Sequence, residues 1–169
     1  INHGEVKPGQ IIILMGTGPS GTGMEETFQI TGALKQLSFG KEIALITDGR
    51  FSGVSTGACI GHVGPEALVG GPIGKVQDGD IIEIKIDCDN LSGSINLIAS
   101  HSNPNVELSE AEIAELFSNR LPHPQLRPHP ELPNDIKIWA ATQSGIWEGC
   151  VQDADRILKI VKAGIDALK

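Results

Sequence analysis

Residues 10–53 read QIIILMGTGPSGTGMEETFQITGALKQLSFGKEIALITDGRFSG. Gln10–Met15 is an unbroken apolar run, as expected of a strand buried on both faces. A glycine-rich loop, Gly16–Gly23, follows it. Glu25–Leu37 then reads as a helix, because Ile30, Ala33, Leu34 and Leu37 recur at i, i+3, i+4 and i+7. Glu42–Thr47 is a second buried strand, closed by the turn Asp48-Gly49. Both loops leave the carboxyl ends of strands, the edge where ligands gather in open sheets.

Further along, the character changes. Gly64-Pro65-Glu66 is predicted to open a short helix with Pro at its first position. Asp80–Asp87 alternates Ile82, Ile84 and Ile86 with Glu83 and Lys85, the pattern of a half-solvated strand. Ser94–Ile98 follows as another strand after the turn signal Asp89-Asn90. Ser109–Phe117 reads as a helix with Ser109 and Glu112 as a capping box. Leu121–Pro133 holds five prolines and is predicted to be an extended arm. Its His123 and His129 lack metal-site spacing and read as solvated arm residues. Asp153–Leu168 is the closing helix, with Ile157, Val161 and Leu168 on one face. Strands that lose strict alternation with helices predict a mixed α/β fold, a barrel-like and mainly β sheet flanked by helices, rather than a doubly wound sheet.

The 169 residues suit one domain spanning 1–169, since no repeat and no second core is visible. Hydrophobic residues make up 40% and charged residues 20%, the balance of a globular protein without a membrane span. With 13 basic against 21 acidic residues, the net charge of −8 repels phosphate backbones and argues against nucleic-acid binding. Cys59, Cys88 and Cys150 form no C-x-x-C pair and no iron–sulfur run, so they read as reduced thiols of a cytoplasmic protein.

Gly16-Thr-Gly18-Pro-Ser-Gly21 matches G-x-G-x-x-G between a strand and a helix, with Asp48 placed like a ribose-binding acid. A nucleotide-binding module is therefore one alternative. Against it stand Pro19 and Ser20, which stiffen the loop, and Glu25 and Glu26, which would meet a phosphate with negative charge. In a first helical turn those two acids could simply complement the helix dipole. They could equally present a carboxylate to a divalent cation at the rim of a glycine loop. Ser52 could spend its hydroxyl on its own turn.

The wider text carries a resemblance. TDGRFSG at 47–53, then Ile60-Gly61-His62-Val63, Pro65-Glu66-Ala67, Gly70-Gly71-Pro72-Ile73 and Asp78-Gly79-Asp80 resemble the C-terminal half of the dihydroxy-acid and phosphogluconate dehydratase family. Gly21-Thr-Gly23-Met24-Glu25-Glu26 is similar to that family's G-x-P-G-M-P-E loop. The wording of residues 51–74, the Pro-rich arm and Trp147-Glu-Gly-Cys150 resemble its D-xylonate branch.

The resemblance implies an eight-stranded barrel-like domain of the aconitase swivelling type. It further implies an N-terminal domain carrying an iron–sulfur cluster and most ligands of a Mg2+ ion, and a homo-oligomer acting on a sugar acid without nucleic acid or membrane. Matched by position, Glu26 corresponds to the metal-binding acid, with Glu25 replacing the family's Pro beside it. Ser52 corresponds to the general base, and Arg50 and Gly53 line its loop. Val54 stands where relatives carry Thr, so Ser55 is the candidate substrate contact. The reaction implied is elimination of water from a 2,3-dihydroxy acid. A third alternative is a docking domain in which Glu26 and Ser52 only fill cap and turn roles.

Overall fold

The computed structural model describes residues 4–128 and 131–169, so the reading of His129 lies outside the described residues, while that of His123 as solvated is corrected, since His123 is buried. The chain gathers into two compact units, Ile1–Gly74 with Pro124–Lys169, and Lys75–His123.

In the first unit, β1 (Ile11–Leu14) is followed by a single helical turn, α1 (Pro19–Thr22). A two-residue strand, β2 (Glu26–Thr27), leads into α2 (Gln29–Leu34). Then come β3 (Ala44–Thr47), β4 (Arg50–Phe51) and β5 (Ala58–Ile60). β1, β3 and β5 form a parallel sheet in that order, with Ile11 opposite Ala44 and Leu45 opposite Cys59. β2 and β4 make a separate parallel pair. Leu34, Ile43 and Leu45 are the buried centre, and Ile12, Leu14, Ile30, Leu37 and Phe51 pack around it. Leu45 is only 1% exposed because it lies on the middle strand.

The helix expected over Glu25–Leu37 is corrected to Gln29–Leu34. Met24 takes a positive φ of 67° and throws the chain into an extended path. Glu26 and Thr27 then pair with β4 instead of entering a helical turn. Ile30, Leu34 and Leu37 still meet the core, so the apolar stripe reads correctly although the helix boundary does not. Since Glu25 and Glu26 precede α2 in extended backbone, their helix-dipole reading is corrected as well. Pro65 likewise stands outside its predicted helix. The 3-10 turn there runs Ala67–Val69 with Glu66 as its N-cap.

The second unit centres on an antiparallel hairpin, β6 (Ile81–Asp87) and β7 (Ser92–Ala99), with a register shift between Ile81 and Ile82. The Asp87 carboxylate accepts the Asp89 and Asn90 N–H groups, both at 3.0 Å, and so shapes the turn. Helix α3 (Glu110–Asn119) starts with the predicted capping box. The Ser109 hydroxyl accepts the Glu112 N–H, and the Glu112 carboxylate accepts the Ser109 N–H at 2.8 Å. Asp80 knits the unit together. Its side chain is fully buried and takes the Arg120 guanidinium in a two-pronged ion pair, with Nη2–Oδ1 at 2.8 Å. It also accepts the N–H groups of Gln77 and His101, each at 2.9 Å.

The closing segment returns to the first unit. Its helix α4 (Asn134–Thr142), which periodicity does not predict, packs against α1, with Gly23 close to Trp139. Helix α5 (Ala154–Ala167) follows, its first turn capped by Asp153 accepting the Arg156 N–H at 3.0 Å. The predicted apolar face of α5 forms, but Val161 and Leu168 stay exposed.

Among the described residues, seven strands form three separate sheets and none closes on itself. The mixed α/β class holds, with parallel and antiparallel pairs. The closed eight-stranded barrel does not form: β1 and β5 remain edges, and the hairpin pairs only with itself. No helix among the described residues is long and apolar enough to cross a membrane.

Candidate active site

The site is assembled by a buried carboxylate. Asp48 is 0% exposed and directly follows β3. Its Oδ2 accepts the Gly16 N–H at 3.0 Å and the Ala67 N–H at 2.9 Å, while Oδ1 accepts the Thr17 N–H at 3.0 Å. The Thr17 hydroxyl touches Oδ1 at 3.3 Å and the Thr47 hydroxyl at 2.9 Å. One side chain thus ties the loop after β1 to the loop after β3 and to the 66–67 turn. In an interior, a carboxylate needs such donors, because an unpaired charge there is strongly disfavoured.

A second buried acid acts beside it. Glu66 is 3% exposed, and both its oxygens lie 3.0 Å from the Ser20 N–H at the start of α1. These contacts explain the G-x-G-x-x-G glycines. A Cβ on Gly18 would strike the Glu66 carboxylate, and one on Gly21 would strike the Gly16 carbonyl. The backbone donors that a pyrophosphate would need at Gly16, Thr17 and Ser20 are already taken by carboxylates. Asp48 is therefore a buried structural acid, and the nucleotide reading loses its anion site. Sequence reasoning gave Glu66 no role of its own. Its only signal was its place in the GHVGPEA stretch.

β2 and β4 position the candidate chemistry. Glu26 lies opposite Arg50, and the Ser52 N–H donates to the Thr27 carbonyl at 3.1 Å, extending the ladder by one residue. Residues in register on neighbouring strands share a face, so Glu26 and Arg50 stand on one side of the β2–β4 pair. A diagonal offset of two residues across neighbouring strands puts the Glu26 and Ser52 Cα atoms about 8 Å apart. Glu26 and Arg50 are exposed and Ser52 is half-buried.

The Ser52 turn is held by its backbone, its carbonyl accepting the Ser55 N–H at 2.9 Å. Gly53 is exposed with open space beside it. The Ser55 hydroxyl pairs with Thr31 on α2 at 3.2 Å, which fastens the loop to that helix. A cleft of about 480 Å³ opens beside β2 and is lined in part by Thr17, Glu25, Glu26, Phe28 and Gln125.

Among the described residues, no three His, Cys, Asp or Glu side chains gather to hold a metal ion. The exposed carboxylate of Glu26 at the cleft is the oxygen donor a hard divalent cation takes, but one such donor is an incomplete set. The cysteines do not fit an iron–sulfur cluster. Burial pushes the Cys59 thiol up. Burial, joined by the Glu66 and Glu148 carboxylates and opposed by Arg50, pushes the Cys150 thiol up. Both stay protonated at neutral pH, the form that binds metal poorly.

This geometry describes an α/β domain in which the short parallel strands β2 and β4 set Glu26 beside Arg50, with Ser52 just past β4. Residues 1–117 match the family described as dihydroxy-acid/6-phosphogluconate dehydratase, C-terminal, and the chain belongs to that family. It is 54% identical over 160 residues to the D-xylonate dehydratase YjhG of Escherichia coli, covering 93% of this chain and 24% of that protein. To the D-xylonate dehydratase YagF of the same organism it is 53% identical, covering 99% of this chain and 26% of that protein. Dihydroxy-acid dehydratase 2 of Bradyrhizobium diazoefficiens is 49% identical over 64% of this chain and 17% of its own length. The chain thus spans about a quarter of the length of the D-xylonate dehydratases it matches.

Proposed function

We propose that this chain is the C-terminal part of a cytoplasmic, homo-oligomeric hydro-lyase that removes water from an aldonate, D-xylonate, to give a 2-keto-3-deoxy acid. The observation that carries this reading is the pairing of Glu26 with Arg50 across β2 and β4, with the Ser52 N–H bonded to Thr27 just beyond that pair. It is supported by more than 50% identity to two D-xylonate dehydratases. The domain is taken to be of the swivelling type, working against an N-terminal domain of the same enzyme.

In the reaction, a proton leaves C2, hydroxide leaves C3, and the resulting enol tautomerises to the keto acid. Ser52 takes the C2 proton. A serine hydroxyl is a weak base, so it must first give up its own proton, and Arg50, two residues before it, supplies positive charge that favours this. Glu26 contributes one carboxylate to a Mg2+ site completed by the N-terminal domain. When bound, Mg2+ supplies positive charge that stabilises the electrons left at C2 and C1. Gly53 lets substrate approach the loop backbone, and Ser55 holds that loop against α2. The iron–sulfur cluster of the enzyme takes its ligands from the N-terminal domain, and no step of this domain's chemistry runs through it.

The test is Ser52→Ala in the full-length enzyme. Turnover should fall at least about a thousandfold, with Mg2+ content and melting temperature unchanged, as expected for removal of an essential base that buttresses nothing. Near-normal turnover would end Ser52's assignment as the base. The isolated 169-residue domain should show no dehydratase activity.

A further inference from the structure

The family match ends at residue 117 of 169, leaving 52 residues beyond it. A D-xylonate dehydratase aligned over 99% of this chain must include nearly all of them. In the fold, this portion from Pro124 onward belongs with the first unit, where the site is. Leu126 lies against Gly16 and Trp139 against Gly23, so the closing segment braces both ends of the glycine loop. Ile146 and Trp147 lie against Gly64, two residues before Glu66. Cys150 lies close enough to feel the charges of Glu66 and Arg50. Gln125 itself lines the cleft that Glu25, Glu26 and Thr17 also line.

We infer that this C-terminal segment forms one wall of the substrate cleft and that Gln125 sets the preference for a polyhydroxylated acid over a short 2,3-dihydroxy acid. The inference rests on the dehydratase reading and adds the residue that discriminates. Both kinds of acid share the carboxylate, the C2 hydroxyl and the C3 hydroxyl, which the Glu26–Ser52 side handles. An aldonate differs by hydroxyls beyond C3. A carboxamide carries two N–H donors and an acceptor oxygen, the complement of such hydroxyls. A site built to hydrogen-bond a hydroxyl discriminates strongly against a substrate lacking it.

The test measures kcat/KM of the full-length enzyme for D-xylonate and for 2,3-dihydroxy-3-methylbutanoate, with Gln125→Leu and Gln125→Met as variants. Melting temperatures are measured beside the parent's, so that a lost contact of Gln125 within the fold is told apart from a change in specificity. Each variant should lose at least about tenfold on D-xylonate, through KM more than kcat, and change less than about twofold on the short acid. Equal changes on both acids, or none on either, would overturn the role of Gln125 while leaving the dehydratase reading intact. A parent enzyme that dehydrates neither acid would sink the dehydratase reading itself, and the inference with it.

Discussion

The Asp48 carboxylate accepts the Gly16 N–H at 3.0 Å from 32 residues away in sequence, with no part of Asp48 exposed. The ends of β1 and β3 are therefore locked side by side. The same oxygen holds the Ala67 N–H, so a third segment joins the lock. The loops that carry Glu26 and Ser52 both grow from this junction.

Replacing Asp48 tests the lock. Asp48→Ala leaves two buried N–H groups and one part-buried one without an acceptor, and unfolding in urea should show a loss of about 3–5 kcal/mol. Asp48→Asn keeps the shape but turns an amide N–H2 toward one set of donors, so it should lose about 2–3 kcal/mol. A midpoint unchanged in both variants would show that the carboxylate does not organise the loops.

Glycine geometry gives a second prediction. A methyl group at Gly21 would meet the Gly16 carbonyl, a backbone atom that cannot swing aside. Gly21→Ala should destabilise by more than about 2 kcal/mol, whereas Gly53→Ala, with open space beside it, should change stability by less than about 1 kcal/mol. Thermal unfolding of the two variants side by side decides it.

Glu26→Gln separates metal binding from folding. The residue is exposed and its backbone, not its side chain, makes the β2–β4 ladder. The full-length variant should keep its melting temperature and bind Mg2+ at least about tenfold more weakly by titration, because a neutral amide is a poor ligand for a hard cation. Glu25→Gln should change Mg2+ affinity little, since Glu25 stands where the family's loop carries a Pro. Equal losses in the two variants would refute the assignment to Glu26.

The second unit offers a pH test. Burial works to raise the Asp80 carboxyl, but hydrogen bonds from Arg120, Gln77 and His101 and the Arg120 charge outweigh it and hold the group below the usual carboxylate range. A depressed folded pKa adds stability above the unfolded value of about 3.9, and that stability is lost as pH falls through the folded pKa. Arg120→Met removes the counter-charge and should destabilise by about 3–5 kcal/mol near neutrality. In that variant burial pushes Asp80 upward, so the deficit relative to the parent should shrink as pH falls toward about 4. A deficit independent of pH would show that the ion pair does not control this acid.

Local chemistry made much of this protein legible. Unbroken apolar runs located β1 and β3, alternation located β6, and Ser109 with Glu112 located the start of α3. What failed were boundaries set by partners distant in sequence. Glu25–Thr27 looks helical next to Ile30 and Leu34, yet the β4 strand captures it. Helix α4 has no clear stripe of its own and forms where it can pack on α1.

By itself the sequence determined the mixed α/β class, the glycine loop and the family, because these depend on side-chain type and near-neighbour spacing. Only the tertiary structure decided that Asp48 and Glu66 are buried braces, that Glu26 pairs with Arg50, and that Gln125 reaches the cleft beside Glu26. Those facts depend on which backbone donors and strand partners remain free once distant segments meet, and pairing of that kind has no short-range signal in the chain.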